Sequence, residues 1–257
     1  MIRRGTVYLV GAGPGDPGLL TVRALQLIEN ADVVLHDQLV TAEILASCNP
    51  KARRVDVGKT GHGRQIAQAD IEGKLIAYAL AGLAVVRLKG GDPLLFGRGS
   101  EEACALRAAG IPFEIVPGVS SAIAVPAYAG IPLTARGVAT SVAIMTGHCA
   151  HSGTLPSTIP SADTIVVLMG VANAAALRDR LMTAGRPGET PAAVIEWGTC
   201  AGQRVEVGTL ERLPDVIDRA GIGAPAVIVV GETVRLRPML NWLDPHLTEV
   251  ELDATAV

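Results

Sequence analysis

An unbroken apolar run, TVYLV (6–10), opens directly into Gly11-Ala-Gly-Pro-Gly-Asp16, and a helical pattern follows that Thr21 can cap. A strand without polar alternation needs cover on both faces. A glycine loop between such a strand and a helix marks an α/β unit, whose ligands collect at the carboxyl ends of the strands. The same grammar recurs along the chain. Apolar runs at 31–37, 52–58, 83–91 and 112–118 alternate with helical patterns at 42–48, 68–80 and 100–109. A helix over 120–128 is expected to end or kink at Pro126. The tetrapeptide AGIP at 109–112 and 129–132 predicts two similar helix exits, because glycine ends a helix and the following proline prevents its return. Around IPLTARG (131–137) the pattern breaks. A second series then begins, with strands at 141–148, 163–170, 192–198, 203–208 and 225–231 and helices at 173–184 and 211–220. The simplest architecture is two α/β lobes, residues 1–136 and 137–243, followed by a polar tail over 244–257.

Composition narrows the function class. Hydrophobic residues make up 49% of the chain, enough for a large core, and argue against disorder. A net charge of -3 with both signs interspersed argues against a general nucleic-acid surface, and 3% aromatic residues leave little for a base-stacking platform. An acidic small molecule would need a local cluster of arginines and lysines. The longest apolar stretch, around Leu75 to Val86, is too short to span a bilayer. The first apolar run stops after five residues at a glycine loop, which reads as a strand and not a signal peptide. Cys48, Cys104, Cys149 and Cys200 form no CxxC pair and read as reduced thiols. A soluble cytoplasmic protein is expected. The HCAH segment (148–151) lacks further ligands at a metal-binding spacing, so its histidines read as surface residues and no metal is assigned.

Two loops carry the chemistry. The first departs from the dinucleotide fingerprint GxGxxG at its sixth position, Asp16, and Pro14 and Pro17 stiffen it. A carboxylate there would repel a pyrophosphate, so a nicotinamide-dependent oxidoreductase is disfavoured; a purely structural turn is the other alternative. The second loop, Lys89-Gly-Gly-Asp-Pro-Leu-Leu-Phe-Gly-Arg-Gly99, also lies between a strand and a helix. Its Asp92 fits either a ligand-binding role or a plain turn.

With both loops placed, the chain from about Thr6 to Trp242 resembles the uroporphyrinogen-III C-methyltransferases of the tetrapyrrole methylase family in their stand-alone form. The matching segments are VYLVGAGPGDPGLLT, ADVVLHDQLV, RVDVGKTGH, RLKGGDPLLFGRGSEE, AGIPFEIVPGVSSA, YAGIPLTARG, MGVANAA and PAVIVVGETVRL, in matching order and spacing. Nothing at the start of the chain resembles the dehydrogenase and chelatase domain that some relatives carry in fusion. The resemblance implies an α/β, two-lobed class III methyltransferase fold, a homodimer, and a substrate cleft between the lobes. It implies S-adenosylmethionine as co-substrate, released as S-adenosylhomocysteine, with no metal. The reaction it implies is methylation of uroporphyrinogen III at two ring positions, giving precorrin-2 by way of precorrin-1 for siroheme or cobalamin synthesis.

Residue by residue, the resemblance assigns the co-substrate to Pro14, Gly90, Gly91, Asp92, Leu95, Ser120, Ser121, Met169, Gly198 and Ala226. It assigns proton acceptance to Asp37, proton donation to Lys59, and substrate binding or turnover to Arg98, Glu101 and Arg136. Guanidinium groups suit a substrate with carboxylates on every side chain. Departures from the family pattern are Ala135 for histidine, Trp197 for asparagine, His36 for tyrosine, Val167 and Leu168 for an aromatic pair, and Glu72 for asparagine. Ala135 and Trp197 leave open a catalytically weakened tetrapyrrole-binding protein; a later corrin methylase would share the first loop and the lobes, but the VGKTGH and GRGSEE segments speak against it.

Overall fold

The computed structural model describes residues 2–58, 66–148 and 158–243, in two compact units that meet in sequence between Ser121 and Ala122. This division lies earlier than the expected lobe boundary at 136, because the helix Ser121–Tyr128 packs with the second unit. Among the described residues, no helix is long and apolar enough to cross a membrane.

The first unit contains β1 (Val7–Gly11), β2 (Val33–His36), β3 (Arg53–Asp56), β4 (Val85–Lys89) and β5 (Phe113–Val116). They form one parallel sheet in the order β3-β2-β4-β1-β5. Helices α1 (Val22–Ile28), α2 (Ala42–Ala46), α3 (Gln68–Leu80) and α4 (Gly99–Ala108) connect the strands. The caps follow from the sequence: Thr21 Oγ1 accepts from the Ala24 amide at 3.1 Å, and Thr41 Oγ1 accepts from the Ile44 amide. Strand alternation sorts the core into two layers. Tyr8 and Val10 pack with Leu27, Ile28 and Ile44, while Val7 and Leu9 pack with Ile71, Leu75 and Leu106. Each fully buried leucine or isoleucine contributes about 1.5–3 kcal/mol. On β4 the same alternation directs Val86 and Leu88 into the first layer and Val85 into the second. Arg87 and Lys89 share the parity of Val85, so they face the α3–α4 side.

The two AGIP exits have one geometry. Gly110 and Gly130 both sit at φ +70°, and Ile111 and Ile131 donate back to Leu106 and Pro126 carbonyls at 2.9 and 2.8 Å. Helix α5 (Ser121–Tyr128) runs through Pro126 to Tyr128, so the proline does not end it; the left-handed turn at Gly130 does.

The second unit adds β6 (Val142–Thr146), β7 (Thr164–Leu168), β8 (Pro191–Glu196), β9 (Arg204–Thr209) and β10 (Ala226–Val230), with α6 (Ala174–Thr183), α7 (Leu213–Ala220) and α8 (Arg237–Leu240). The order is β6-β7-β10-β8-β9. Only β6 and β7 are parallel; β10 inserts antiparallel between β7 and β8, and β9 pairs antiparallel with β8. Ile165, Val167, Val194 and Ile228 meet Leu177, Leu181 and Ile217 in an apolar core.

Candidate active site

Three loops meet at the carboxyl edge of the first sheet because their strands, β4, β1 and β5, are neighbours there. Gly13 and Gly91 exchange both backbone hydrogen bonds, at 3.2 and 2.7 Å, which ties the first loop to the second. Gly118 completes the junction: a Cβ on it would lie 2.3 Å from the Gly91 carbonyl oxygen and 2.7 Å from Gly11 Cα. Backbone touches backbone here, and only glycine permits it. Asp92 locks the arrangement, with Oδ1 accepting from the Leu94 amide at 2.8 Å and Oδ2 from the Gly118 amide at 3.1 Å. Both carboxylate oxygens of Asp92 thus brace the loops. Asp16 is likewise engaged with backbone, accepting from the Gly18 amide at 2.7 Å as the cap of a 3₁₀ turn over Pro17–Leu19.

The result is a cradle with little side chain over it. Gly91 is at φ +67° with Ser120 and Ser121 beside it, and a Cβ on Gly90 would meet Leu39 at 3.1 Å. Of the positions assigned to the co-substrate, Gly90, Gly91, Asp92, Ser120 and Ser121 converge at this edge, and Pro14 follows Gly13 directly. Leu95 is half-buried on the same loop. Met169, Gly198 and Ala226 belong to the second unit. Met169 follows β7 at φ +57°, Gly198 packs against Val125, and Ala226 opens β10 opposite Glu196.

The candidate catalytic residues divide three ways. Asp37 directly follows β2, and its amide donates to the Leu88 carbonyl of β4. Its Oδ1 accepts from Arg87 Nη2. Arg98 and Glu101, at the head of α4, bind each other bidentately at 2.9 and 2.6 Å on the surface. The Glu101 carboxylate raises the Arg98 guanidinium above its ordinary pKa, against the opposing effect of burial, and Glu72 adds to the rise. Arg136 is exposed in a turn of the second unit closed by paired hydrogen bonds between Ala135 and Ala139. Lys59 lies outside the described residues, as do Cys149 and His151 of the HCAH segment. Among the described residues, no cluster of three or more potential metal ligands occurs.

Sequence reasoning missed the buried charges beneath Asp37. Arg87 and Lys89 are each 2% exposed and Glu102 is 0% exposed. Glu102 Oε1 accepts from Arg87 Nε at 3.0 Å, Lys89 Nζ at 3.1 Å and Gln68 Nε2 at 3.3 Å. Burial pushes the Lys89 pKa down, and Arg87 beside it adds to the fall. Burial also opposes the Arg87 charge, yet Asp37 and Glu102 hold its pKa above the ordinary value. The available signal was VVRLK itself, two cations at strand spacing inside an otherwise apolar, central strand.

Comparison with known proteins identifies the family and the fold. Residues 6–214 match the model of the Tetrapyrrole (Corrin/Porphyrin) Methylases. The chain is similar to uroporphyrin-III-C-methyltransferase from Thermus thermophilus, with 46% identity, 94% of this chain and 99% of that one covered, and a TM-score of 0.80. A Thermus thermophilus uroporphyrin-III C-methyl transferase complexed with S-adenyl homocysteine gives 39% identity, 90% and 99% coverage, and a TM-score of 0.79. Siroheme synthase of Pseudomonas fluorescens (strain Pf0-1) is 49% identical over 247 residues, 95% of this chain but 53% of that protein. The chain therefore spans about half the length of the curated relatives it matches.

Proposed function

The chain belongs to the tetrapyrrole methylase family, and from that premise we propose that it transfers methyl groups from S-adenosylmethionine to two ring carbons of uroporphyrinogen III, giving precorrin-2 by way of precorrin-1. The observation that carries the reading is the glycine cradle at the sheet edge, with a partly exposed carboxylate, Asp37, at the end of a strand in the same sheet.

The cradle suits the co-substrate chemically. Backbone amides and carbonyls around Gly90, Gly91, Ser120 and Ser121 grip the polar parts of an adenosine and a methionyl group, and Leu39 and Leu95 supply apolar flanks. Pro14 stiffens the first loop. The resemblance also assigns Met169, Gly198 and Ala226 to the co-substrate. S-adenosylmethionine supplies a methyl group on a cationic sulfur. The protein's task is alignment, which alone contributes about 7–11 kcal/mol when a donor and an acceptor are held in near-contact.

Once a pyrrole carbon has gained the methyl group, a proton must leave the macrocycle. Asp37 accepts it, and Lys59 is the proton donor. The substrate's carboxylates meet Arg98 and Arg136. The Arg98–Glu101 pair is exposed and holds with about 1 kcal/mol or less, so Arg98 exchanges partners readily for a substrate carboxylate. The product feeds siroheme synthesis, the activity named for the relatives; a homodimer in the cytoplasm is part of the same reading.

Anaerobic incubation with uroporphyrinogen III and S-adenosylmethionine tests the proposal. A product heavier by two methyl groups is expected. Ligand retention without methyl gain would assign a tetrapyrrole-binding role instead, and selectivity for a nicotinamide cofactor would reject both. Asp37→Ala and Arg98→Ala are each expected to abolish turnover while circular dichroism remains native. Wild-type rates in both would discard the catalytic assignment.

A further inference from the structure

We infer that Arg87, anchored by Glu102, is the positioning residue that orients the Asp37 carboxylate toward the substrate. This rests on Asp37 being the proton acceptor, as proposed above.

The geometry is a relay of fixed charges. Arg87 sits on β4, the central strand, and three of its atoms are committed. Nη2 donates to Asp37 Oδ1, Nε to Glu102 Oε1 at 3.0 Å, and Nη1 to the Leu88 carbonyl at 3.3 Å. A planar guanidinium with three fixed partners cannot swing, so the one oxygen of Asp37 that it holds cannot swing either. Among the described residues, the other oxygen, Oδ2, has no hydrogen-bond partner, and the Asp37 side chain is 30% exposed. One oxygen is tethered to a buried guanidinium, and among the described residues the other is left open on a partly exposed side chain.

Glu102 provides the fixed end. It is fully buried, its Oε1 gathers three donors from α3 and β4, and its Oε2 is buried without a hydrogen-bond partner among the described residues. Two carboxylates and two cations balance, so the array is neutral. Such an array is a poor way to stabilise a sheet, because isosteric apolar side chains usually serve equally well or better. Burying three charges beneath the strand end that carries the proposed base is explained by what the array holds in place. The step itself balances simply. The macrocycle's C–H bond breaks, its electron pair returns to the ring system, and an O–H bond forms at Asp37 Oδ2.

The test compares Arg87→Met, Arg87→Lys and Glu102→Gln with Asp37→Ala. Turnover is counted per S-adenosylhomocysteine-binding site, determined by calorimetric titration, at a temperature well below each variant's Tm. Arg87→Met should lower kcat by about a hundredfold and Glu102→Gln by about tenfold, the scale on which a mispositioned general base loses its effect. KM for uroporphyrinogen III and Kd for S-adenosylhomocysteine should stay within about twofold, and Arg87→Lys should recover part of the loss, since it keeps the charge without the fork. Should Arg87→Met fail to fold, Arg87→Lys and Glu102→Gln decide the matter, each expected to fall below wild type in kcat. A purely structural role predicts a lower Tm and fewer binding sites with unchanged kcat per site, and that result overturns the inference. Full turnover in Asp37→Ala would instead remove the premise that Asp37 is the base.

Discussion

In the first unit the turns that end β1 and β4 reach positive φ at Gly13, Gly15 and Gly91, whereas at the ends of β7 and β8 in the second unit the same backbone region is held by Met169, Trp197 and Thr199. Glycine lets one backbone lie directly on another; a residue with a Cβ in the left-handed region pays about 1–3 kcal/mol of strain to present its side chain at that point. Met169 and Trp197 are both substantially exposed, so this strain directs two large apolar side chains outward. Phe96 and Arg98, on the far arm of the second loop, follow the second unit's pattern. The interiors contrast as well. The first sheet buries Arg87, Lys89 and Glu102 against its central strand, while the principal core of the second is apolar. One unit thus offers exposed backbone and held charges, the other side chains on strained turns over an inert core.

The sharpest way to break this contrast is Gly118→Ala. Its Cβ has no space between Gly91 and Gly11, so stability should fall by about 3 kcal/mol, with S-adenosylhomocysteine binding lost in calorimetry. Gly202→Ala, in the second unit with nothing near its Cβ, should leave binding unchanged. Next comes the second unit's own buried carboxylate. Glu196 accepts from the Gly223 amide at 2.6 Å and from Arg204 Nε at 2.7 Å. Although burial works the other way, these contacts leave its pKa below the ordinary carboxylate value. A depressed pKa contributes stability that is present above the unfolded carboxylate range and lost as pH falls through it. Glu196→Gln should therefore cost about 2 kcal/mol in urea unfolding at pH 7, and the gap should shrink toward pH 4 and below.

Asp92→Asn sharpens the reading of the loops. One of its two backbone acceptors becomes a donor, costing about 1 kcal/mol and weakening co-substrate binding more than the fold. An unchanged Kd would reduce Asp92 to an ordinary turn residue. The smallest effect tests the strained turns: Trp197 holds φ +48°, a region that asparagine tolerates best after glycine. Trp197→Asn should raise Tm, by about 1 kcal/mol of relieved strain. A lower Tm would mean that the indole's contacts outweigh its backbone conformation.

Much of this architecture was legible in the chain itself. The apolar runs, the glycine loops and Thr21 marked strands, turns and a helix start because each signal is local. Strand direction was not legible. The run at 225–231 reads the same whether it pairs parallel or antiparallel, and only the tertiary structure inserts β10 between β7 and β8. The converging loop residues were legible as a motif, but the reason Gly118 must be glycine depends on Gly11, over a hundred positions away. Glu102 was hidden by its neighbour. Glu101 and Glu102 are indistinguishable in sequence, yet adjacent helix positions point about a third of a turn apart, and only one reaches Arg87.

The three-way junction of Gly11, Gly91 and Gly118 also dictates when the pocket can exist. Gly11 leaves the ribosome early, Gly91 far later and Gly118 last, so a nascent chain can pair β1 with β4 before the floor of the proposed co-substrate site has formed. Arrival of β5 completes that floor in a single docking event. By then the first sheet's share of the proposed co-substrate site is complete, while Met169, Gly198 and Ala226 have yet to be made.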